Sequence, residues 1–382
     1  MIIFSFLFFL FFCSNLCAQE VHYEDRSSNI SYQTVFGYDE FVYNAIDNRG
    51  QCYINENDVR RLKPTIRIPS HIITNQGTII VACEVFFHEG EFHQSGVYVA
   101  RSTNNGKEWE KRFLYKGGNP NIIYDRVNNR IFMLDGFNYY ISEDEGNTWS
   151  EARKLIIRKP DGWDYMYQSP TTGIQLSNGV LATVYEVFKG RGKNINANSN
   201  VIVFSRDYGN TWNVSVITPD SIIANEATLA EYLPNQIMIN ARGGTEVSWN
   251  SPNPGRRIFV PLKKSSAKLK KWNIAGWSLH ESDKSMIEPI CNASFITFLK
   301  DNIRIGLFCN PFTKNNPRRD LMLQYSKDFK IWNKIGLLTK KDMEVYGYCS
   351  LYYNDGKLGF VYEDIQKGIM YADITYLIKE IQ

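Results

Sequence analysis

Short apolar or alternating runs recur along the chain and stop at turn residues. Val97-Tyr98-Val99-Ala100, Tyr139-Tyr140-Ile141, Val201-Ile202-Val203-Phe204 and Leu321-Met322-Leu323-Gln324-Tyr325 are of this kind. Their length and their β-branched and aromatic content predict strands. Each run leads into a version of one phrase. It reads Ser142-Glu143-Asp144-Glu145-Gly146-Asn147-Thr148-Trp149, and again Ser205-Arg206-Asp207-Tyr208-Gly209-Asn210-Thr211-Trp212. A looser copy spans Ser102 to Trp109, with Asn104 in the Asp place and Gly106 kept. Another runs from Ser326 through Asp328 to Trp332, one residue short and with Lys330 where Gly would stand. A degenerate fifth spans Ser265 to Trp272.

The phrase reads as a hairpin turn. Asp accepts from backbone N–H groups a few residues on, Gly supplies positive φ, and Trp packs the turn onto a sheet. From Ser142 the copies begin 63, 60 and 61 residues apart (142, 205, 265, 326), about the length of one four-stranded unit with its loops. One copy would suit an ordinary β-sandwich. The recurrence predicts an all-β fold, a six-bladed β-propeller of four-stranded antiparallel sheets.

Composition refines this picture. The chain has 382 residues and no Pro/Ser-rich linker or charge block, which suits one closed ring. Its net charge of +3, from 43 basic and 40 acidic residues, is too balanced for a nucleic-acid footprint. Residues 1–18 form an apolar stretch, too short for a membrane span, that reads as a secretory signal with cleavage near Ala18. Residues 19–60 are expected to complete or cap the propeller that residues 61–382 form. The expected location is secreted, periplasmic or cell-surface, with a lipid on Cys13 or Cys17 as an alternative tether, and the expected state is a monomer. After the signal, Cys52, Cys83, Cys291, Cys309 and Cys349 are scattered, which fits neither a disulfide framework nor a metal site. No metal and no cofactor are expected.

Repeats say nothing about chemistry. Candidate chemistry lies in Ile66-Arg67-Ile68-Pro69-Ser70, Asn225-Glu226, Asn240-Ala241-Arg242, Pro317-Arg318-Arg319-Asp320-Leu321, Gly347-Tyr348-Cys349-Ser350-Leu351 and Val361-Tyr362-Glu363. With Gly118-Asn119-Pro120 and Thr172-Gly173-Ile174-Gln175-Leu176, their order resembles the exo-sialidases (neuraminidases) of the six-bladed propeller class, from about Ile66 to Glu363.

The resemblance implies an enzyme that releases terminal sialic acid, or a related 2-keto sugar acid, from sialylated glycans. Arg67, Arg242 and Arg318 would clamp the carboxylate of the sugar, a task that suits always-charged planar forks. Arg319 competes for the third place. Glu363 would hold Arg67. Tyr348 would be the nucleophile and Glu226 its base, since a neutral phenol approaches an anionic sugar more easily than a carboxylate does. The acid/base of the family is an Asp, and the stretch from Ala82 to Gly96 has none. Its position falls on Glu91, with Glu89 and His93 as alternatives, and a further substrate-contacting Arg of the family falls on Phe86. A propeller that binds sialic acid without cleaving it is the other reading of this departure.

Overall fold

The structure, a computed structural model, describes residues 24–41, 64–86, 95–190, 197–214, 224–243, 258–262, 287, 289–314 and 316–381. The apolar N-terminus, the Ser265 to Trp272 copy, and Glu89, Glu91 and His93 lie outside the described residues.

The described residues form antiparallel sheets that follow one another along the chain. The first pairs Thr65–Ile73, Ile79–Phe86, Ser95–Ser102 and Glu110–Lys116 in order. The second repeats this with Asn121–Asp125, Arg130–Asp135, Asn138–Ser142 and Arg153–Lys154. The third is built on Tyr165–Gln168, Leu181–Lys189, Ala197–Ser205 and Asn213–Val214, with Ile174–Gln175 also on the second of these. The fourth shows Ala224–Leu233, Gln236–Gly243 and Ile258–Leu262, and the fifth Ser294–Lys300, Ile303–Pro311, Leu321–Ser326 and Asn333–Leu337. In the last sheet, Val345–Asn354, Lys357–Asp364 and Gly368–Asp373 take their fourth strand from the N-terminal Gln33–Phe36. That pairing ties the two ends of the chain together and covers an edge that would otherwise be open. Among the described residues, no helix is long and apolar enough to cross a membrane.

Neighbouring sheets meet through their first strands, with Ile174–Gln175 taking that place in the third sheet, and Val345–Asn354 returns to Thr65–Ile73. Where they meet, the interior is polar as well as apolar. The Ser70 and Thr172 hydroxyls lie 2.9 Å apart, and His71 Nδ1 lies 2.8 Å from Ser350 Oγ. Burial pushes the His71 imidazole down to about 3, so this ring is a neutral hydrogen-bonding strut.

The recurring phrase does what its residues dictate. Ser142 Oγ donates to Asp144 Oδ1 at 2.9 Å and accepts from Gly146 N at 2.9 Å. Asp144 also accepts from Thr148 N at 2.8 Å and Thr148 Oγ1 at 2.6 Å. The turns at Ser205 and Ser102 repeat this web, with Asn104 replacing Asp. Each turn also reaches the preceding sheet. A Cβ on Gly146 would sit 2.5 Å from Ile80 Cδ1, one on Gly209 2.4 Å from Phe132 Cζ, and one on Gly106 2.9 Å from Tyr371 Cδ1. Glycine is therefore needed there for contact as well as for φ. The shortened copy departs from the sequence reading. Phe329, at φ 59°, turns the chain in place of a glycine, and Lys330 does not. Asp328 still collects Lys330 N and Ile331 N.

These turns join third to fourth strands. In up-and-down sheets they lie at the end opposite to where the first strand begins. The candidate residues Arg67 and Glu226 stand at the beginnings of first strands, so turns and site occupy opposite ends.

Candidate active site

A cavity of about 790 Å3 opens at the end where the first strands begin. Arg67, Glu226, Arg242, Arg318 and Tyr348 all line it, although they are up to 281 residues apart in sequence (67 to 348). Arg67 owes its placement to a break in strand register between Arg67 and Ser70. Ile68, in the break, has φ 60°, a rare conformation for a β-branched residue. Its backbone N–H donates to Glu363 Oε1 at 2.6 Å, and Arg67 Nε donates to the same oxygen at 2.9 Å. The other oxygen of Glu363 accepts from Tyr348 N at 2.9 Å. One buried carboxylate thus holds the strained turn, the guanidinium and the backbone of the tyrosine. Burial disfavours the charge on Arg67, but the Glu363 carboxylate outweighs it and raises its pKa. The guanidinium lies 4.6 Å from the Tyr346 ring and 5.1 Å from the Tyr348 ring.

Glu226 is presented by a second register break, between Ala224 and Ala227. The backbone donors that the break releases are satisfied by side chains. Glu226 N donates to Asn225 Oδ1 at 2.7 Å, and Ala227 N to Ser169 Oγ at 2.7 Å. The Tyr348 hydroxyl donates to Glu226 Oε1 in a very short contact. Arg242 Nη1 bonds Glu226 Oε2 at 2.8 Å and reaches the Tyr348 oxygen at 3.3 Å. Burial raises the pKa of Glu226, yet Arg242 and the hydrogen bond from Tyr348 bring it below the usual carboxylate value. Burial and the Glu226 charge push the Tyr348 phenol well above its ordinary value. The resting pair is therefore a neutral phenol hydrogen-bonded to a carboxylate. Such a pair can pass its proton as the phenol oxygen attacks an electrophile, and Arg242 is placed to steady the charge on either oxygen.

Of the two neighbouring arginines, Arg318 lines the cavity. Its Nη1 donates to Tyr346 O at 2.8 Å and its Nη2 to Ile290 O at 2.9 Å, while its Nε is buried with no protein partner among the described residues. Arg319 turns to the surface and pairs with Glu344 at 2.9 Å. Phe86 also lines the cavity and packs with Ile68, Cys291 and Tyr348. The apolar ring stands where the sequence comparison placed a further arginine.

Several lining residues carry no signal in the sequence. Glu84, Asp135, Tyr167, Gln168, Glu186, Phe188 and Tyr346 all face the same cavity. They belong to or flank ordinary strands, so neither turn chemistry nor a motif marks them. Asn119 was marked only as part of Gly118-Asn119-Pro120, and it too lines the cavity.

Comparison with known proteins gives the family. The model of the BNR repeat-like domain matches residues 126–362, more than half of the chain. A sialidase of Bacteroides fragilis is 26% identical over 346 residues, which cover 78% of this chain and 59% of that protein. The Hadza microbial sialidase Hz136 superposes with a TM-score of 0.66 at 23% identity, over 81% of this chain and 65% of that one. The Trypanosoma rangeli sialidase in complex with 2,3-difluorosialic acid, a covalent intermediate, superposes with a TM-score of 0.63 at 19% identity, over 83% of this chain and 55% of that one. The chain thus spans between half and two thirds of each of these three proteins. It belongs to the BNR repeat-like domain family, in company with the sialidases that it resembles in sequence and fold.

Proposed function

We propose that this protein is a retaining exo-sialidase, a glycoside hydrolase that releases terminal sialic acid or a related 2-keto sugar acid from glycoconjugates. The observation that carries the reading is the contact of Tyr348 with Glu226 and Arg242, flanked by the buried Arg67 and the half-buried Arg318. On this reading the sheets are the six blades of one propeller, the site lies on its axis, and residues 1–18 direct export. Arg67, Arg242 and Arg318 hold the sugar carboxylate. The partly used guanidinium of Arg318 suits an acceptor of this kind.

Two displacements account for the chemistry. In the first, the Tyr348 oxygen bonds to the anomeric carbon while its proton passes to Glu226. The glycosidic C–O bond breaks, and the leaving oxygen takes a proton from the acid, which we assign to Glu91. In the second, water attacks the same carbon, the bond from that carbon to the Tyr348 oxygen breaks, the water proton goes to the group that gave one, and the phenol oxygen recovers its proton from Glu226. Two inversions give net retention. That the T. rangeli sialidase forms a covalent intermediate with a fluorinated sialic acid supports such a course in a protein of this fold.

The test is hydrolysis of a fluorogenic sialoside by the parent and Tyr348→Phe. Turnover that disappears in the variant while sialic acid still binds supports the proposal. A parent that binds sialic acid without turnover, with the same affinity in Tyr348→Phe, would make the protein a lectin instead.

A further inference from the structure

The residues on either side of Glu226 are tied to the third sheet. Ala227 N donates to Ser169 Oγ at 2.7 Å, and Asn225 O accepts from Asn200 Nδ2 at 2.9 Å. The ladder of the fourth sheet skips this point, since it pairs Ala224 with Gly243 and then Ala227 with Ala241. The two side chains from the neighbouring sheet therefore hold the backbone where the strand's own pairing lapses.

The holders are themselves fixed. Ser169 follows the strand Tyr165–Gln168 and is fully buried. Its N donates to Val184 O at 3.0 Å, and its O accepts from Asn121 Nδ2 at 2.9 Å. Its hydroxyl donates its one proton to Glu186 Oε1 at 3.1 Å, which turns the oxygen lone pairs toward Ala227 N. Glu186 and Asn200 are direct partners across Leu181–Lys189 and Ala197–Ser205, so they stand on one face of the sheet. All three side chains are buried, and neither Ser169 nor Asn200 is among the residues that line the cavity. The carboxylate of Glu226 must meet Tyr348 with one oxygen and Arg242 with the other. Such a two-sided contact needs a backbone that does not shift.

We propose that Ser169 and Asn200 are positioning residues for the base, which hold the backbone of Asn225 and Ala227 so that the Glu226 carboxylate meets the Tyr348 hydroxyl. This rests on the sialidase reading. It assigns the third sheet a part in the proton transfer although neither residue touches the reacting atoms.

The experiment measures kcat and KM for a fluorogenic sialoside, with thermal melts, for the parent, Ser169→Ala, Ser169→Thr and Asn200→Ala. Ser169→Ala should lower kcat roughly ten- to a hundredfold, because a reacting group displaced by about 1 Å costs about that much, and should change KM far less. Asn200→Ala should act in the same direction, and it tests the other flank if Ser169→Ala does not fold. Ser169→Thr, which keeps the hydroxyl, should recover most of the lost kcat. In a Glu226→Ala background, Ser169→Ala should remove little of the rate that remains, since the group it positions is gone. Thr375→Ala serves as the structural control. It deletes a hydroxyl that accepts from Leu358 N at 2.8 Å at the end away from the cavity, and it should lower the melting temperature with kcat unchanged. The same loss of kcat in Thr375→Ala, or an equal cost of Ser169→Ala with and without Glu226, would overturn the proposal and leave Ser169 a structural residue. A parent whose turnover disappears in Tyr348→Phe but persists undiminished in Ser169→Ala and Asn200→Ala overturns this proposal alone. A parent without turnover overturns the sialidase reading, and this proposal with it.

Discussion

Glu363 and Arg67 form a buried ion pair at 2.9 Å in which the carboxylate side chain has no exposure and the guanidinium 6%. The same carboxylate holds the backbone of Ile68 and of Tyr348. Removing it strands a buried guanidinium and releases two backbone donors. Glu363→Ala should cost about 3–5 kcal/mol of stability, read from urea midpoints. It should also raise KM and lower kcat together, because the clamp and the proposed nucleophile hang from one group. Glu363→Gln, which keeps the acceptor oxygen and loses the charge, should cost less.

The two adjacent arginines offer an internal control. Arg318 lines the cavity with a buried Nε, whereas Arg319 pairs with Glu344 at the surface. Arg318→Ala should raise KM for a sialoside at least tenfold, since a charge-assisted hydrogen bond is worth about 1.5–3 kcal/mol. Arg319→Ala should leave kcat and KM as they were and shift stability by less than about 0.5 kcal/mol. Reversed effects would move the clamp to Arg319.

What the sequence reveals about this protein depends on how local the cause is. The Asp144 and Asp207 turns are complete within eight residues, so their hydrogen bonds could be read directly. The Phe329 turn could not, because the residue that takes positive φ is set by a shortened loop and not by a glycine. The arginines and Tyr348 were legible only through resemblance to a family. No spacing in the chain says that residues 67, 226, 242, 318 and 348 converge; the closing of strands into a ring does that. Gln168 and Asp135 were invisible for a related reason. Each is an ordinary strand residue whose meaning comes from a neighbouring sheet.

The turn glycines should act on stability and not on catalysis, since they lie at the end away from the cavity. Gly146 has φ 78°, and a Cβ there would meet Ile80 Cδ1 at 2.5 Å. Gly356, in the turn between Val345–Asn354 and Lys357–Asp364 at the same end, has φ 78° with nothing within 4 Å. Both Ala substitutions carry the left-handed backbone cost of about 1–2 kcal/mol. Only Gly146→Ala adds a clash with the neighbouring sheet. Thermal melts should show Gly146→Ala as the less stable of the two, with kcat and KM unchanged in both. Equal melts would mean that the Ile80 side chain swings aside without cost.

The raised carboxyl of Asp135 makes a prediction about pH that needs no substrate. In the unfolded chain this group titrates near the ordinary value of about 3.9. In the folded protein burial moves it up to about 6. Between those values the native state holds more protons than the unfolded state, so the contribution to stability is fully present below about pH 4. It is lost as pH rises through 6 and is constant above. Asp135→Asn has no such titration. Stability of the variant relative to the parent should therefore climb between pH 4 and 6 and then level off, whatever constant offset the lost or altered hydrogen bond to Asn138 adds. Urea midpoints of both proteins at pH 4, 5, 6 and 7 give this difference directly, and the other titrating groups cancel in it. A difference that stays flat across the range would show that the Asp135 carboxyl is hydrated in the empty cavity.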